Sequence, residues 1–182
     1  MGPRLREFAR RYLLADTIAL SPAERRRSVL GALLALGLCG SLLHVLPLEN
    51  HWLLAPVGAS TVILFALSHS PQAQPWPVLG GYLSASLAAM ASVQLLPYPQ
   101  LAAAVAVAGC IWLMARLNCF HPPGGALALL LVLDGPYTPE RMGFTLGLVG
   151  LNVLAILLAA ALINNLILGR RYPFSLESGP AN

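Results

Sequence analysis

Two segments of this sequence, each led by proline, combine small residues with polar side chains that could bind an ion. Residues 55–61 read APVGAST, and residues 121–126 read HPPGGA. A helix that begins inside a membrane presents N–H groups with no partner within the helix, and it carries about half a positive charge at that end. Because glycine and alanine barely screen these N–H groups, the two segments predict an anion site between two helix starts. The residues that would form it are Gly58, Ala59, Ser60, Thr61, Gly124, Gly125 and Ala126.

Three further polar residues are candidates for the same site. His121 could cap its helix, hydrogen-bond the ligand or carry a proton, since imidazole titrates near neutral pH. The alternative is a buried histidine that fixes the extended lead into the helix. Arg116 could be the fixed cation of an anion path or an interfacial arginine that reaches the headgroups. Asn152 could contact the ligand or form a hydrogen bond between helices. For the glycines, the alternative role is to let helices pack closely.

The composition indicates a membrane protein. Of the 182 residues, 57% are hydrophobic and 10% are charged, whereas a soluble domain is charged at about a quarter of its positions. Most basic residues precede residue 28, so a basic surface for nucleic acid is not expected. Between residues 28 and 169 there are too few charges for a solvated globular domain: Glu49, Arg116, Asp134, Glu140 and Arg141.

Apolar segments of two lengths would position the candidate residues. Four stretches reach the roughly 20 residues that span a bilayer as a helix: 28–48, 78–96, 99–118 and 142–168. Residues 57–67 and 124–133 are shorter and follow prolines, which predicts an extended lead and then a half-length helix. Ser21 to Glu24 form a capping box with proline at the first helical position, so the first membrane helix should begin there and run to about Val45.

The sequence also predicts an internal repeat. A shift of 67 positions places Pro56 on Pro123, Gly58 on Gly125 and Gly80 on Gly147. This gives two repeats, each a long helix, a broken half helix and a long helix, a pattern typical of transporters. If both broken segments cross the membrane there are six crossings and the repeats are inverted; if both re-enter, there are four.

Arginine counts indicate the orientation. Arg25 to Arg27 and the pair Arg170-Arg171 place both termini in the cytoplasm. Arg116 falls on the same side only with six crossings, which favours that arrangement. Residues 1–24 are then an amphipathic, basic cytoplasmic segment, residues 25–170 the transmembrane domain and residues 171–182 a cytoplasmic tail. The GxxxG pair Gly143 and Gly147 indicates helix packing or a homo-oligomer.

Taken together, the HPPGGA string, Gly58-Ala59-Ser60, Ala73-Gln74-Pro75 and Gly80-Gly81 resemble the HPP family of integral membrane proteins over about residues 25–168. Members of that family in plastids and cyanobacteria are implicated in nitrite transport, which the resemblance implies here. The family pattern usually has threonine where this chain has Leu127 and arginine where it has Trp76.

The function expected is therefore a multi-pass transporter or channel of the bacterial inner membrane that carries a small monovalent anion, nitrite first. No enzymatic activity, cofactor or metal is expected, and the partners are the anion, the lipid bilayer and a possible second copy of the chain. One alternative is an intramembrane metal enzyme, although its candidate ligands lack the i, i+3 or i, i+4 pair usual on one helix: His44, His51, His69, His121 and Glu49. The other is a membrane scaffold or sensor domain without transport.

Overall fold

The structure, a computed structural model, describes residues 20–44 and 55–174, with the isolated positions 2, 7 and 8, and within these the regular elements are all helices. The helices, in chain order, are α1 Pro22–His44, α2 Ala55–Ala66, α3 Pro75–Leu95, α4 Pro99–Arg116, α5 Pro123–Asp134 and α6 Pro139–Leu162. A 3₁₀ turn, Pro71–Ala73, precedes α3, and a π-helical turn, Ile163–Ile167, continues α6. The all-helical prediction is confirmed.

The predicted half helices are α2 and α5, which have 12 residues each. Both carry proline in the first turn, where its missing N–H costs no hydrogen bond. The predicted extended lead is wrong immediately before Pro123, because Pro122 has helical backbone angles, φ −53° and ψ −36°, and Ala55 before Pro56 is already part of α2. Three helical spans are long and apolar enough to cross a membrane: Pro75–Leu95, Pro99–Arg116 and Pro139–Ile167. The predicted fourth span begins in α1, and its last residues, 45–48, lie outside the described residues.

The start of α1 follows the capping prediction in part. The N–H of Glu24 donates to the Ser21 hydroxyl at 3.2 Å, so the serine caps the helix as expected. The reciprocal half is wrong, because the Glu24 carboxylate accepts hydrogen bonds from Arg27 and Arg170 instead of the Ser21 N–H.

Helices α3, α4 and α5 run alternately up and down. At one end the Trp76 indole N–H donates to the Leu117 carbonyl, 3.0 Å away, which joins the start of α3 to the end of α4. At the other end the Gln94 amide donates to the Tyr137 carbonyl at 2.8 Å, which joins the end of α3 to the loop after α5. Helix α5 therefore runs alongside α3 from near Gly81 towards the end of α3 and does not turn back.

The remaining helices complete the alternation. Ser28 near the start of α1 donates to the carbonyl of Phe65 near the end of α2, 2.7 Å away. Asn164 in the π-helical turn after α6 donates to the Leu64 carbonyl at 3.4 Å. The start of α1, the end of α2 and the end of α6 thus meet, as six crossings require. We call this side the basic end, because it holds Arg25, Arg26, Arg27, Arg116, Arg170 and Arg171.

The helices pack as two groups of three: α1 with α2 and α6, and α3 with α4 and α5. The two groups meet where α2 contacts α5 and where α3 contacts α6. Each group has two long helices and one short helix, and each takes its third helix from the other half of the chain. Helix α3 contacts both other helices of its group, and many of its buried residues are small, such as Ala85 and Ala89. This exchange supports the predicted inverted repeat, which stays a prediction.

Candidate functional site

The site is built around His121, which lies in the short connection between α4 and α5. Its side chain is fully buried. One ring nitrogen, Nδ1, is 2.9 Å from the backbone carbonyl oxygen of Gln72, and the other, Nε2, is 2.8 Å from the hydroxyl of Ser60. The backbone N–H of His121 donates to the sulfur of Met114 at 3.4 Å. The histidine therefore joins three parts of the chain that are far apart in sequence.

A tyrosine extends this contact to a third helix. The hydroxyl of Tyr82 on α3 is 2.9 Å from that of Ser60 on α2, and its ring lies 5.8 Å from the His121 ring, centroid to centroid. Ser60 is fully buried and Tyr82 is 1% exposed. We call Ser60, Tyr82 and His121 the polar cluster. It lies where the short helix α2 meets the lead into the short helix α5.

Glycines on α3 allow the loop that carries His121 to approach this closely. A Cβ atom at Gly81 would lie 2.7 Å from the Cβ of His121, and one at Gly80 would lie 2.5 Å from the Cβ of Cys119. Real Cβ atoms essentially never come that near, so the two glycines are required where loop and helix meet. Gly124 packs in turn on α3, because its own Cβ would lie 2.8 Å from the Gly81 carbonyl oxygen.

The expectation of unpartnered N–H groups at the start of α5 is wrong. The N–H of Gly124 donates to the carbonyl of His121 at 2.9 Å, and the N–H of Gly125 donates to the carbonyl of Pro122 at 3.0 Å. Such i to i+3 bonds are a common way to satisfy the first donors of a helix. The lead into α2, residues 51–54, lies outside the described residues.

The other small residues of the predicted site differ in their surroundings. Gly58 and Gly125 are half-buried, and a Cβ atom added to either would meet no other atom within 4 Å, so each leaves open space beside its helix. Ala59 and Ala126 are exposed. Thr61 is buried, and its hydroxyl donates to the Val57 carbonyl one turn earlier, at 2.8 Å.

Two predicted residues lie away from the polar cluster. Arg116 is exposed at the last residue of α4, at the basic end. Its proposed partner, Glu49, lies outside the described residues. Asn152 is buried in α6, and its amide donates to the Leu148 carbonyl at 3.0 Å. Asn164, further along the same segment, contacts the Leu64 carbonyl, which is one helical turn from Ser60. At a rise of 1.5 Å per residue, Asn152 is about 18 Å from Asn164, so it lies far from this contact.

The metal-enzyme alternative gains no support from the described residues, which contain no group of three His, Cys, Asp or Glu side chains that could hold a metal ion. His121 uses both ring nitrogens in the contacts above. His69 is exposed and makes an edge contact with the ring of Phe174. His51 and Glu49 lie outside the described part of the chain.

Sequence reasoning missed Tyr82 and the carbonyl of Gln72. Tyr82 follows Gly80-Gly81, one of the strings that carried the resemblance, and a buried tyrosine in an apolar helix usually needs a partner for its hydroxyl. That signal could have identified it. At the predicted offset of 67 residues, the counterparts of Ser60 and Tyr82 are Leu127 and Val149, both buried and apolar. The two hydroxyls that accompany His121 therefore come from the first half of the chain and have no polar counterpart in the second.

A second group of buried polar side chains lies at the basic end. The guanidinium of Arg170, whose side chain is 6% exposed, donates to the carbonyl of Phe65 at 2.7 Å and to the carboxylate of Glu24. Ser28 donates to the same Phe65 carbonyl. The last carbonyls of α2 are thus capped by side chains from α1 and from beyond α6, an arrangement that the helix dipole favours for a cation.

Comparisons with known proteins give one family match and two relatives. The family model described as "HPP, transmembrane region" matches residues 18–173. Two transmembrane proteins of Dictyostelium discoideum are 35% identical over 66% of this chain and 34% identical over 69% of it. The chain spans less than half of these curated relatives, 44% and 42% of their lengths. No solved structure matches the chain.

Proposed function

Because the chain belongs to the HPP family of transmembrane proteins, we propose that it is a transporter or channel for a small monovalent anion, with nitrite as the first candidate. We place it in the bacterial inner membrane with the basic end in the cytoplasm, since arginine collects on the cytoplasmic side of membrane proteins. Both termini then lie in the cytoplasm, and Arg116 lies at the cytoplasmic mouth.

The observation that carries this proposal is the polar cluster. Polar and ionisable side chains are costly within a membrane, and where they occur they commonly mark the path of a substrate or ion. Here Ser60, Tyr82 and His121 meet between two short, proline-led helices, the place where transporters of repeat architecture hold their substrates. The cluster can supply a hydroxyl donor for an anion and an imidazole that can carry a positive charge beside it.

The anion site proposed here differs from one made of bare backbone N–H groups. Since the N–H groups of Gly124 and Gly125 have partners, side chains of the polar cluster make the principal contacts. Gly58 and Gly125 then leave room for the anion beside the two short helices, because no atom lies where their side chains would be. Because the three side chains of the cluster are buried, the proposed transporter has to open a path to them before an anion can bind.

Uptake by the purified protein in proteoliposomes tests the proposal. We expect uptake of nitrite above that of protein-free vesicles, with nitrate, formate and chloride as competitors. Ser60→Ala should reduce uptake about tenfold, the worth of one well-placed hydrogen bond of roughly 1.4 kcal/mol. Ser92→Ala is the matched control, because the buried Ser92 hydroxyl donates only to the Ala88 carbonyl of its own helix.

The competing interpretations give other outcomes. A scaffold or sensor domain would give no uptake of any of these anions, although the protein is folded. Equal loss in the Ser60 and Ser92 variants would show that a buried hydroxyl matters only for stability, and the polar cluster would then not be the site.

A further inference from the structure

The hydrogen bonds of the polar cluster have a defined direction. The carbonyl oxygen of Gln72 can only accept, so the Nδ1 atom that faces it must carry the hydrogen. In a neutral imidazole the Nε2 atom is then an acceptor, and it takes the hydroxyl hydrogen of Ser60. The oxygen of Ser60 in turn accepts from the hydroxyl of Tyr82. The donors therefore point from Tyr82 through Ser60 to His121.

Resting on the proposed function, we propose that Tyr82, Ser60 and His121 form a proton relay that couples the uptake of one proton to the binding of one anion. A proton from water bonds to Nε2 of His121, which becomes an imidazolium. Nε2–H then donates to the Ser60 oxygen, and the Ser60 hydroxyl turns to donate to the Tyr82 oxygen. The Tyr82 hydroxyl hydrogen is released from Ser60 and becomes a donor for the anion. When the anion leaves on the other side, Nε2 returns its proton to water there and the hydrogen bonds go back to their first direction, so one proton and one anion cross together.

The charges around the polar cluster explain why a proton is the coupled ion. Helices α2 and α3 carry no Asp, Glu, Lys or Arg; α4 carries only Arg116, exposed at its last residue, and α5 only Asp134, at the opposite end. In the described part of the chain, the titratable side chains on the packed segments are Tyr82 on α3, Cys110 on α4, Cys119 beside Gly80, Tyr172, whose hydroxyl donates to the Ala73 carbonyl next to Gln72, and the exposed His69 in the loop before Gln72. His121 is therefore the group that can supply a positive charge there, and an anion buried without one would be strongly destabilised.

The relay predicts electroneutral uptake. With one proton per anion, each pH unit of inward gradient should raise the accumulation of anion about tenfold, and a membrane potential set with potassium and valinomycin should have no effect. Nitrate is the better probe beside nitrite, because nitrous acid crosses bilayers unaided, and protein-free vesicles correct for that leak. A pH indicator inside the vesicles should report acidification as the anion enters.

Variants locate the coupling in the cluster. Tyr82→Phe removes the donor released by the relay, so the dependence on the pH gradient should be lost, whereas Tyr137→Phe is the control because that hydroxyl donates only to the Leu131 carbonyl at the opposite end. In ¹⁵N-histidine NMR of the protein in nanodiscs, with His121→Gln for assignment, His121 should show the Nδ1–H form at neutral pH. Added nitrate should raise the pH at which His121 becomes protonated in the wild type, and it should not do so in Tyr82→Phe.

The outcomes separate this inference from the proposed function. Uptake that follows the membrane potential and ignores the pH gradient would leave anion transport standing and overturn the relay. An Nε2–H form of His121 would overturn it as well, because the bonds would then already point away from the histidine. Absence of uptake of every anion under every gradient would overturn both proposals.

Discussion

Two neighbouring glycines at the start of α5, Gly124 and Gly125, differ in whether the structure has room for a side chain. A Cβ at Gly124 would press on the backbone oxygen of Gly81, which cannot move aside as a flexible side chain could. A Cβ at Gly125 would meet no atom within 4 Å. A side chain is therefore tolerated at Gly125 and not at Gly124, and the role of Gly124 is to let α5 pack closely on α3.

Alanine at each position should shift stability in opposite directions. Gly124→Ala should destabilise the protein by about 1–3 kcal/mol through overpacking, whereas Gly125→Ala should be neutral or stabilise it by up to about 1 kcal/mol, since alanine is the better helix former. A thiol-reactive dye can follow the melts, because all three cysteines, Cys39, Cys110 and Cys119, are buried until the protein unfolds. Equal melting temperatures for the two variants would contradict this assignment.

At the scale of elements, the short helix α2 depends on its neighbours at its C-terminal end. A helix of three turns is marginal in isolation, and its last carbonyls need partners. Arg170, Ser28 and Asn164 supply them from outside the helix. The arginine also binds the carboxylate of Glu24, so one residue joins α1, α2 and the segment after α6.

Loss of this arginine should therefore be costly. Arg170→Gln should destabilise the protein by roughly 1.5–3 kcal/mol, as expected when a charged donor to the buried Phe65 carbonyl is removed. Arg27→Gln breaks the exposed pair with the same Glu24 and should cost less than about 1 kcal/mol. Similar losses in both variants, measured by the same thiol melt, would mean that the capping of α2 contributes little.

The Glu24 carboxylate makes stability depend on pH at the acidic side. Burial raises its pKa, but the hydrogen bond and charge of Arg170, followed by those of Arg27, outweigh burial and hold the pKa below its usual 4.5. A group with a lowered pKa in the folded state stabilises the protein above the unfolded pKa, and this contribution is lost as pH falls. The melting temperature of Glu24→Gln should thus lie below that of the wild type at pH 7 and approach it below about pH 4.5, followed by tryptophan fluorescence.

The elements were more predictable from sequence than the site. Prolines and segment length are local signals, and they identified α2 and α5 and the start of α1 correctly. The bonds of His121 to Ser60 and to Gln72 join residues 61 and 49 positions apart, and a uniformly apolar sequence has no periodicity that could align them. The N–H groups of Gly124 and Gly125 are satisfied by a local turn. Sequence reasoning missed this because it assumed that the first N–H groups of a helix have no partners.

For the whole molecule, the alternation of six helices sets the sides on which the loops lie. His69 is exposed in the loop between α2 and α3 at the basic end, and Glu140 is exposed at the start of α6 at the opposite end. In a chain without its native cysteines, single cysteines at these positions should react with an impermeant reagent from opposite sides of the membrane.

A third position serves as the control for this labelling. Arg171 is exposed at the basic end, so Arg171→Cys should label from the same side as His69→Cys. Labelling of the His69 and Glu140 positions from one side would contradict the six-crossing arrangement and require re-entrant short helices.

The capping of α2 also has a consequence for biosynthesis. The Arg170 guanidinium contacts Glu24, which the ribosome adds 146 residues earlier, and the Tyr172 hydroxyl donates to the carbonyl of Ala73, 99 residues earlier. Chains fold from the N-terminus as they are made, so α1 and α2 enter the bilayer with this end incomplete. Until Arg170 has been made, the Phe65 carbonyl has only Ser28 and the Glu24 carboxylate has only Arg27 as partners among the described residues, so this end of α2 is completed late in synthesis.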